Sequence, residues 1–160
     1  MKESHADNFT VVAKSQRNQI RELFTEEDWR DAWPAVNALR AYVTLESFLA
    51  NREAHIAEGT RLFGLVKDNV IASIAAIRIG LHLSGEKELY IKDLVTLEAY
   101  RSRGLGGELM SFLGDFAVSN GCFRVILHSA QHREDAHRFY MSIGYHQYAT
   151  VFIKELKCLY

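Results

Sequence analysis

Residues Leu89 to Leu109 read LYIKDLVTLEAYRSRGLGGEL, an apolar strand that runs into the first turns of a helix. The junction is Arg101-Ser102-Arg103-Gly104-Leu105-Gly106-Gly107. Amides at a helix start have no acceptor within the helix and stand at the positive end of its dipole. Glycines let that backbone come close to a ligand, and Arg101 and Arg103 add full charges. Such a loop either grips a phosphate group or is a tight strand-to-helix turn that binds nothing. Two phosphate motifs fail on it. A P-loop needs Lys and then Ser or Thr after its last glycine, but Glu108 follows Gly107. A dinucleotide fingerprint needs a third glycine where Leu109 stands. It also needs an acidic residue near the end of the next strand, where this chain has His128.

Upstream of the loop, Lys87 to Leu97 is a strand, and Thr60 to Lys67 and Val70 to Ile79 form a hairpin joined by Asp68-Asn69. The run VIASIAAIRI is nearly all apolar, so its strand is expected at the centre, covered on both faces. Earlier still, Trp29, Ala32, Trp33, Val36, Leu39 and Val43 recur at helical spacing. That helix starts after Asp31, with Pro34 in its first turn, or near Asp28, with a kink at Pro34. Arg40 to Thr44 connects it to a second helix, Thr44 to Glu58, stopped by Gly59. Gln19 to Phe24 is a short first strand. Met1 to Asn18 is a polar tail expected to be partly mobile, which leaves residues 19–160 as the domain.

Downstream, Leu105, Leu109, Phe112, Leu113, Phe116 and Ala117 make one stripe of a helix ending at Asn120-Gly121. Cys122 to Ser129 is a buried strand. A helix from Arg133 to Ile143 turns Ala136, Phe139, Tyr140 and Ile143 inward, and Tyr145 to Leu156 supplies a final strand or bent strand pair. Strand, two helices, three strands, helix, strand, helix, strand is the order of an α/β domain with a mixed sheet and helices on both faces.

Composition narrows the function. A 160-residue chain that is 48% apolar forms one globular domain with its own core. A net charge of -1 argues against a general nucleic-acid or membrane-surface binder. Cys122 and Cys158 form no CxxC pair, which points to reduced thiols and a cytoplasmic setting. No run reaches membrane-spanning length. Among His128, His132, His137 and His146 no pair has ligand spacing; His132 and His137 are five apart and lie on different helix faces. No metal is expected.

Arg101-x-x-Gly104-x-Gly106 resembles the Arg/Gln-x-x-Gly-x-Gly/Ala signature of the GNAT superfamily of N-acetyltransferases. Asp93-Leu94-Val95 before it, the amphipathic helix after it, and Ala136-His137-Arg138-Phe139-Tyr140 with Gly144-Tyr145 stand in the order that family shows. The AHRFY segment and the aromatic C-terminal run look similar to small-molecule acetyltransferases, among them aminoalkylphosphonate acetyltransferases. The resemblance implies a sheet splayed between its fourth and fifth strands, acetyl-CoA as donor and a primary amine of a small molecule as acceptor. It places the coenzyme diphosphate on Arg101, Arg103, Gly104, Leu105, Gly106, Gly107 and Glu108. The pantetheine arm would lie along Val95 and Leu97, with the Val95 amide facing the thioester oxygen. Where the family often has Asn, this chain has Arg133, so Ser129 or Arg133 is expected to take over that contact.

Direct attack leaves two proton transfers. An alkyl amine with a pKa of about 10 arrives protonated, and the departing thiolate must gain a proton. Tyr140 is the acid the resemblance implies, although from periodicity alone it is a core tyrosine. Asp93, a charge inside an apolar strand, is the candidate base, with Glu88 and Glu46 as runners-up; its bland role is to face solvent or to pair with Lys92 or Arg78. Tyr42, Glu46, Tyr148 and Arg78 are candidates to line the acceptor pocket. Two other functions fit the same motifs: a CoA-binding module without catalysis, and a protein or peptide acetyltransferase. The exposed apolar end VFIKELKCLY suggests a homodimer edge.

Overall fold

The computed structural model describes residues 18–156. The expected tail before Asn18, and Cys158, lie outside that range. Five strands form one sheet in the order β1-β2-β3-β4-β5: β1 Gln19–Glu22, β2 Arg61–Lys67, β3 Val70–Leu81, β4 Lys87–Thr96 and β5 Cys122–Leu127. The first four are antiparallel in sequence, and β5 joins β4 in parallel. Asp68 and Asn69 both take positive φ, 52° and 62°, as a tight two-residue hairpin turn requires. β3 is the central strand, with residues 71–75 buried.

Alternation along the strands feeds two cores. On one face, Leu62, Ile71, Ile74 and Val95 pack against Trp29, Ala32 and Ala35 of α1 (Glu26–Leu39). On the other, Phe63, Leu65, Ala75, Ile77, Leu89 and Ile91 pack against Leu105, Leu109, Met110, Leu113 and Ala117 of α4 (Leu105–Ser119). Helices thus cover both faces, as the apolar β3 demanded. At Gly64 an added Cβ would come within 2.9 Å of Leu23 Cδ1, so a side chain at this β2 position would have to displace Leu23 from the core.

Four expectations change. α1 begins earlier than either Asp31 or Asp28 allowed: Thr25 is its N-cap. Thr25-x-x-Asp28 forms a capping box in which Asp28 N donates to Thr25 Oγ1 and Thr25 N donates to Asp28. Pro34 therefore lies inside the helix, on its exposed side, where water can reach the carbonyl it leaves unpaired. The second helix is two short ones, α2 Leu45–Ala50 and α3 Arg52–Ala57. They are broken at Asn51, whose side chain donates to the Ser47 carbonyl. Tyr145 to Leu156 forms no strand, and Tyr148, Val151, Phe152, Ile153 and Leu156 are exposed. Its apolar residues fall at consecutive positions, so no single face of an extended segment there can be buried. Ile143, at the end of α5 (Glu134–Ser142), is also more exposed than its spacing suggested.

Burial alone would raise the Asp28 carboxyl. The Thr25 amide, the Arg21 guanidinium, the Thr25 hydroxyl and the Phe24 amide together outweigh it and hold the group at about 2. Its contribution to stability is complete above the unfolded-chain pKa near 4 and is lost as pH falls through about 2. Asp28→Asn is expected to cost on the order of 2 kcal/mol at pH 6. In urea unfolding at stepped pH the gap between variant and parent should close toward pH 2; a gap constant with pH would contradict this.

Candidate active site

The site begins with an irregularity in β4. Asp93 lies opposite Ala76 and Ile91 opposite Ile77, which leaves Lys92 with no partner on β3. An extra residue reverses the alternation of side chains. Leu89 and Ile91 belong to the α4 core, and after Lys92 it is Leu94 that packs there, while Val95 turns to the α1 core. Asp93 is turned with Val95. It meets the end of α1, where Arg40 Nη2 stands 2.5 Å from its carboxylate. Lys92 Nζ instead donates to Thr60 Oγ1 at 3.0 Å. Asp93 thus pairs with neither Lys92 nor Arg78.

The same region loses its neighbour. β4 and β5 pair from Lys87 and Cys122 only as far as Ile91 and Leu127. Beyond that point, among the described residues, no strand on the β5 side continues the ladder of β4. On its other side the ladder with β3 continues without a shift from Asp93 to Thr96, and the Leu97 amide donates to Ala72 O at 2.9 Å. In an antiparallel ladder the peptide groups of alternate residues share a side. Those of Val95 and Leu97 therefore face β3; Ser73 Oγ also donates to Val95 O at 3.1 Å. The peptide groups of Leu94 and Thr96 face the gap. The main-chain donors expected at Val95 and Leu97 are thus turned away from the cleft, one residue out of register.

At the end of β4 a single 3₁₀ turn, Glu98–Tyr100, leads into the glycine loop. Arg101 Nε donates to Thr96 O at 3.1 Å, and the Arg103 guanidinium lies over the Tyr100 ring. Gly104 is the N-cap of α4 with φ +76°, a conformation that favours glycine, and it offers no side-chain cap. The first-turn amides of Leu105, Gly106 and Gly107 are left without a helix acceptor. An added Cβ at Gly104 or Gly107 would meet nothing within 4 Å, whereas at Gly106 it would touch Phe139 at 3.4 Å. Glu108 accepts from Asn18 Nδ2 at 2.7 Å.

Two clefts flank Leu94. The larger, about 630 Å³, is lined by Leu94, Val95, Thr96, Arg101 and the start of α5 from His132 to Ala136. The smaller, about 250 Å³, holds Arg40, Lys92, Asp93, His128, Ser129 and Tyr140. Leu39, Leu94 and Arg133 line both. Tyr140 is half-buried; burial pushes its phenol up and the Arg133 charge acts the other way, with burial prevailing. Ser129 Oγ is buried with no hydrogen-bond partner among the described residues. The fold thus gathers Tyr140, Asp93, Ser129 and Arg133, and adds Arg40, which the sequence did not single out.

Other candidates fall elsewhere. Glu88 is held by Arg124 at 2.8 Å and His82 at 3.1 Å and lines neither cleft. Glu46, Tyr42, Tyr148 and Arg78 also line neither, although Arg40 Nη1 reaches Tyr42 Oη at 3.5 Å. His128 Nδ1 is 3.3 Å from Tyr90 Oη. Among the described residues no three His, Cys, Asp or Glu side chains come together as ligands would, and no helix is long and apolar enough to cross a membrane.

The model of the acetyltransferase (GNAT) family matches residues 17–145. The chain belongs to the GNAT family. It is an acyltransferase with acetyl-CoA as donor. Among its relatives is YhdJ, an uncharacterized N-acetyltransferase of Bacillus subtilis strain 168, 36% identical over 76% of this chain and 86% of the relative. The aminoglycoside N-acetyltransferase AAC(6')-Iy in complex with CoA has the same fold, with a TM-score of 0.76. It is 16% identical and covers 92% of this chain and 100% of its own. So has the ribosomal-protein-alanine N-acetyltransferase of Brucella melitensis biovar Abortus 2308, with a TM-score of 0.75. It is 13% identical and covers 88% of this chain and 99% of its own. One is named for a small-molecule acceptor and one for a protein, so backbone likeness leaves the acceptor to the site.

Gly104→Ala tests the loop conformation. A Cβ finds space there but not a favourable φ, so denaturant unfolding should report a loss of about 1–2 kcal/mol. Equal stability would mean that the loop does not need its left-handed residue.

Proposed function

We propose that this protein acetylates the primary amine of a small molecule by direct attack of the amine on acetyl-CoA, with Tyr140 as general acid. The observation that carries the reading is the meeting of the two clefts at Leu94 and Arg133, with Tyr140 and Asp93 in the smaller one. The larger runs past Thr96 to Arg101 at the mouth of the glycine loop. Open amides with free space before them suit a diphosphate, and the Leu94 and Thr96 peptide groups that face the gap, of which the Thr96 carbonyl already accepts from Arg101 Nε, suit an amide-bearing chain.

The coenzyme supplies an activated acetyl thioester. The amides of Leu105, Gly106 and Gly107, with Arg101 and Arg103, would hold its diphosphate beside Gly104 and Glu108. The peptide groups of Leu94 and Thr96 would hold its arm, with the Leu94 amide in the place first expected of Val95. The unpartnered Ser129 Oγ and Arg133 stand where the arm would pass into the smaller cleft. There Tyr140 keeps its proton at neutral pH, because burial raises its pKa, and can donate it to the departing sulfur. The Asp93 carboxylate faces the incoming ammonium and accepts its proton, directly or through a water.

The size of the second cleft favours a small acceptor. At about 250 Å³ it is below the roughly 300–1,000 Å³ typical of sites for drug-sized ligands. The Arg40–Asp93 pair ties the α1–α2 connection to β4 beside it.

Two variants test the reading. Gly107→Asp places a carboxylate on the open first turn; folding should be unharmed, since negative charge suits a helix start. CoA affinity by calorimetry should fall at least about tenfold from charge repulsion. Unchanged affinity would place the diphosphate elsewhere. Tyr140→Phe should lower kcat for thiol release about 100-fold or more while CoA binding stays within about twofold. A variant with parental kcat would remove Tyr140 from the chemistry.

A further inference from the structure

Acetyl transfer to an alkyl ammonium leaves a proton over. The nitrogen loses one proton before it attacks and a second as the intermediate collapses, while the departing sulfur gains only one. One proton therefore has to leave the site in each turnover. Asp93, which receives it first, is engaged by Arg40 at the end of α1. A proton taken up there must be passed on before the carboxylate can serve again.

His128 is the side chain of the smaller cleft that the reaction has not used. It follows β5 directly, lines that cleft together with Asp93 and Tyr140, and is exposed to solvent. The cleft and bulk water thus share this ring. It is also held in place. Nδ1 lies 3.3 Å from Tyr90 Oη, and the two rings pack with their centroids 5.1 Å apart at 52°. Tyr90 itself is fixed on both sides, by Arg78 of β3 and Ile126 of β5, two residues before the sheet parts at Lys92. Hydrogen bonds of this kind are commonly long in a free enzyme and tighten when substrate binds.

On ordinary values an imidazole binds a proton more tightly than a carboxylate does and less tightly than an alkyl amine. It takes a proton from a carboxylic acid downhill and gives it up to water near neutral pH. With Nδ1 taken by Tyr90, Nε2 is the ring nitrogen left for that proton. This requires the other hydrogen to sit on Nδ1, and a tyrosine hydroxyl accepts from Nδ1 whether the ring is neutral or charged.

We infer that His128 carries the surplus proton out of the smaller cleft and that Tyr90 is its positioning residue. This rests on the acetyl transfer proposed above and completes its proton balance. The N–H bond of the ammonium breaks toward Asp93, directly or through a water. The proton moves on to His128 Nε2, where an N–H bond forms, and the imidazolium returns it to solvent. The proton released on collapse goes to the Tyr140 oxygen, which gave its own to sulfur. The nitrogen has then lost two protons, of which sulfur holds one and water the other.

The test compares ethylamine with trifluoroethylamine by thiol release from acetyl-CoA. The two share a skeleton, but the fluorines draw electron density from the nitrogen. Trifluoroethylamine therefore arrives uncharged at neutral pH and leaves no surplus proton. His128→Ala should lower kcat/KM about tenfold or more for ethylamine and no more than about twofold for the fluorinated amine. Added imidazole should restore part of the ethylamine rate in that variant, with CoA affinity and melting temperature unmoved. Nitrogen NMR of the histidine rings should find the parent His128 with its hydrogen on Nδ1, and Tyr90→Phe should shift it to Nε2. Equal loss with both amines, no loss with either, or a parent ring with its hydrogen on Nε2 would overturn the inference and leave the transfer reaction standing. A parent that releases thiol with neither amine would remove transfer to simple amines and the proton path with it.

Discussion

The parting of two parallel strands governs this molecule. β4 and β5 share a ladder only to Ile91 and Leu127, and the remainder of β4 has peptide groups on one side that no strand among the described residues satisfies. Buried main-chain polar groups without partners are costly, so such a gap persists only where solvent or a ligand can fill it. The glycine loop, the larger cleft and the half-buried Tyr140 are all arranged along that opening. In a closed sheet at this point, none of them would have a surface to face.

The extra residue at Lys92 is what lets one strand serve both cores and the site. Before it, alternate side chains enter the α4 core; after it they change face, which sends Asp93 toward Arg40 and Val95 under α1. A local defect of one residue thus sets which peptide groups point into the gap. It also brings a carboxylate to the end of a helix more than fifty positions earlier in the chain.

Much of this was legible in the sequence, for physical reasons that differ by element. The strand-to-helix junction at the glycine loop was legible because its signals, a left-handed Gly104 and the helix start after it, are local. The hairpin at Asp68-Asn69 and the burial of β3 were legible for the same reason. The Lys92 bulge had a signal of its own: apolar residues at 89, 91, 94 and 95 skip a beat that strict alternation would keep. The resemblance placed the main-chain donors at Val95 and Leu97; the extra residue at Lys92 turns the peptide groups of Leu94 and Thr96 to the gap instead. The Thr25-Asp28 capping box was likewise present, masked by Pro34, which argues for a later helix start. Arg40 had no local mark at all, since its meaning comes from a partner supplied by tertiary packing. The C-terminal run has the composition of a strand, but composition alone cannot give it a face to bury.

The glycine loop and the peptide groups before it come from one unbroken stretch, Leu94 to Gly107, whereas the smaller cleft is assembled from α1, β4, the end of β5 and α5. The two halves of the site therefore sit differently under mutational drift. Under the proposed function, a change at Arg40 would alter the smaller cleft without touching a residue of the continuous stretch. Under the proposed function, such a division would let the acceptor side vary while the hold on the coenzyme stays as it is.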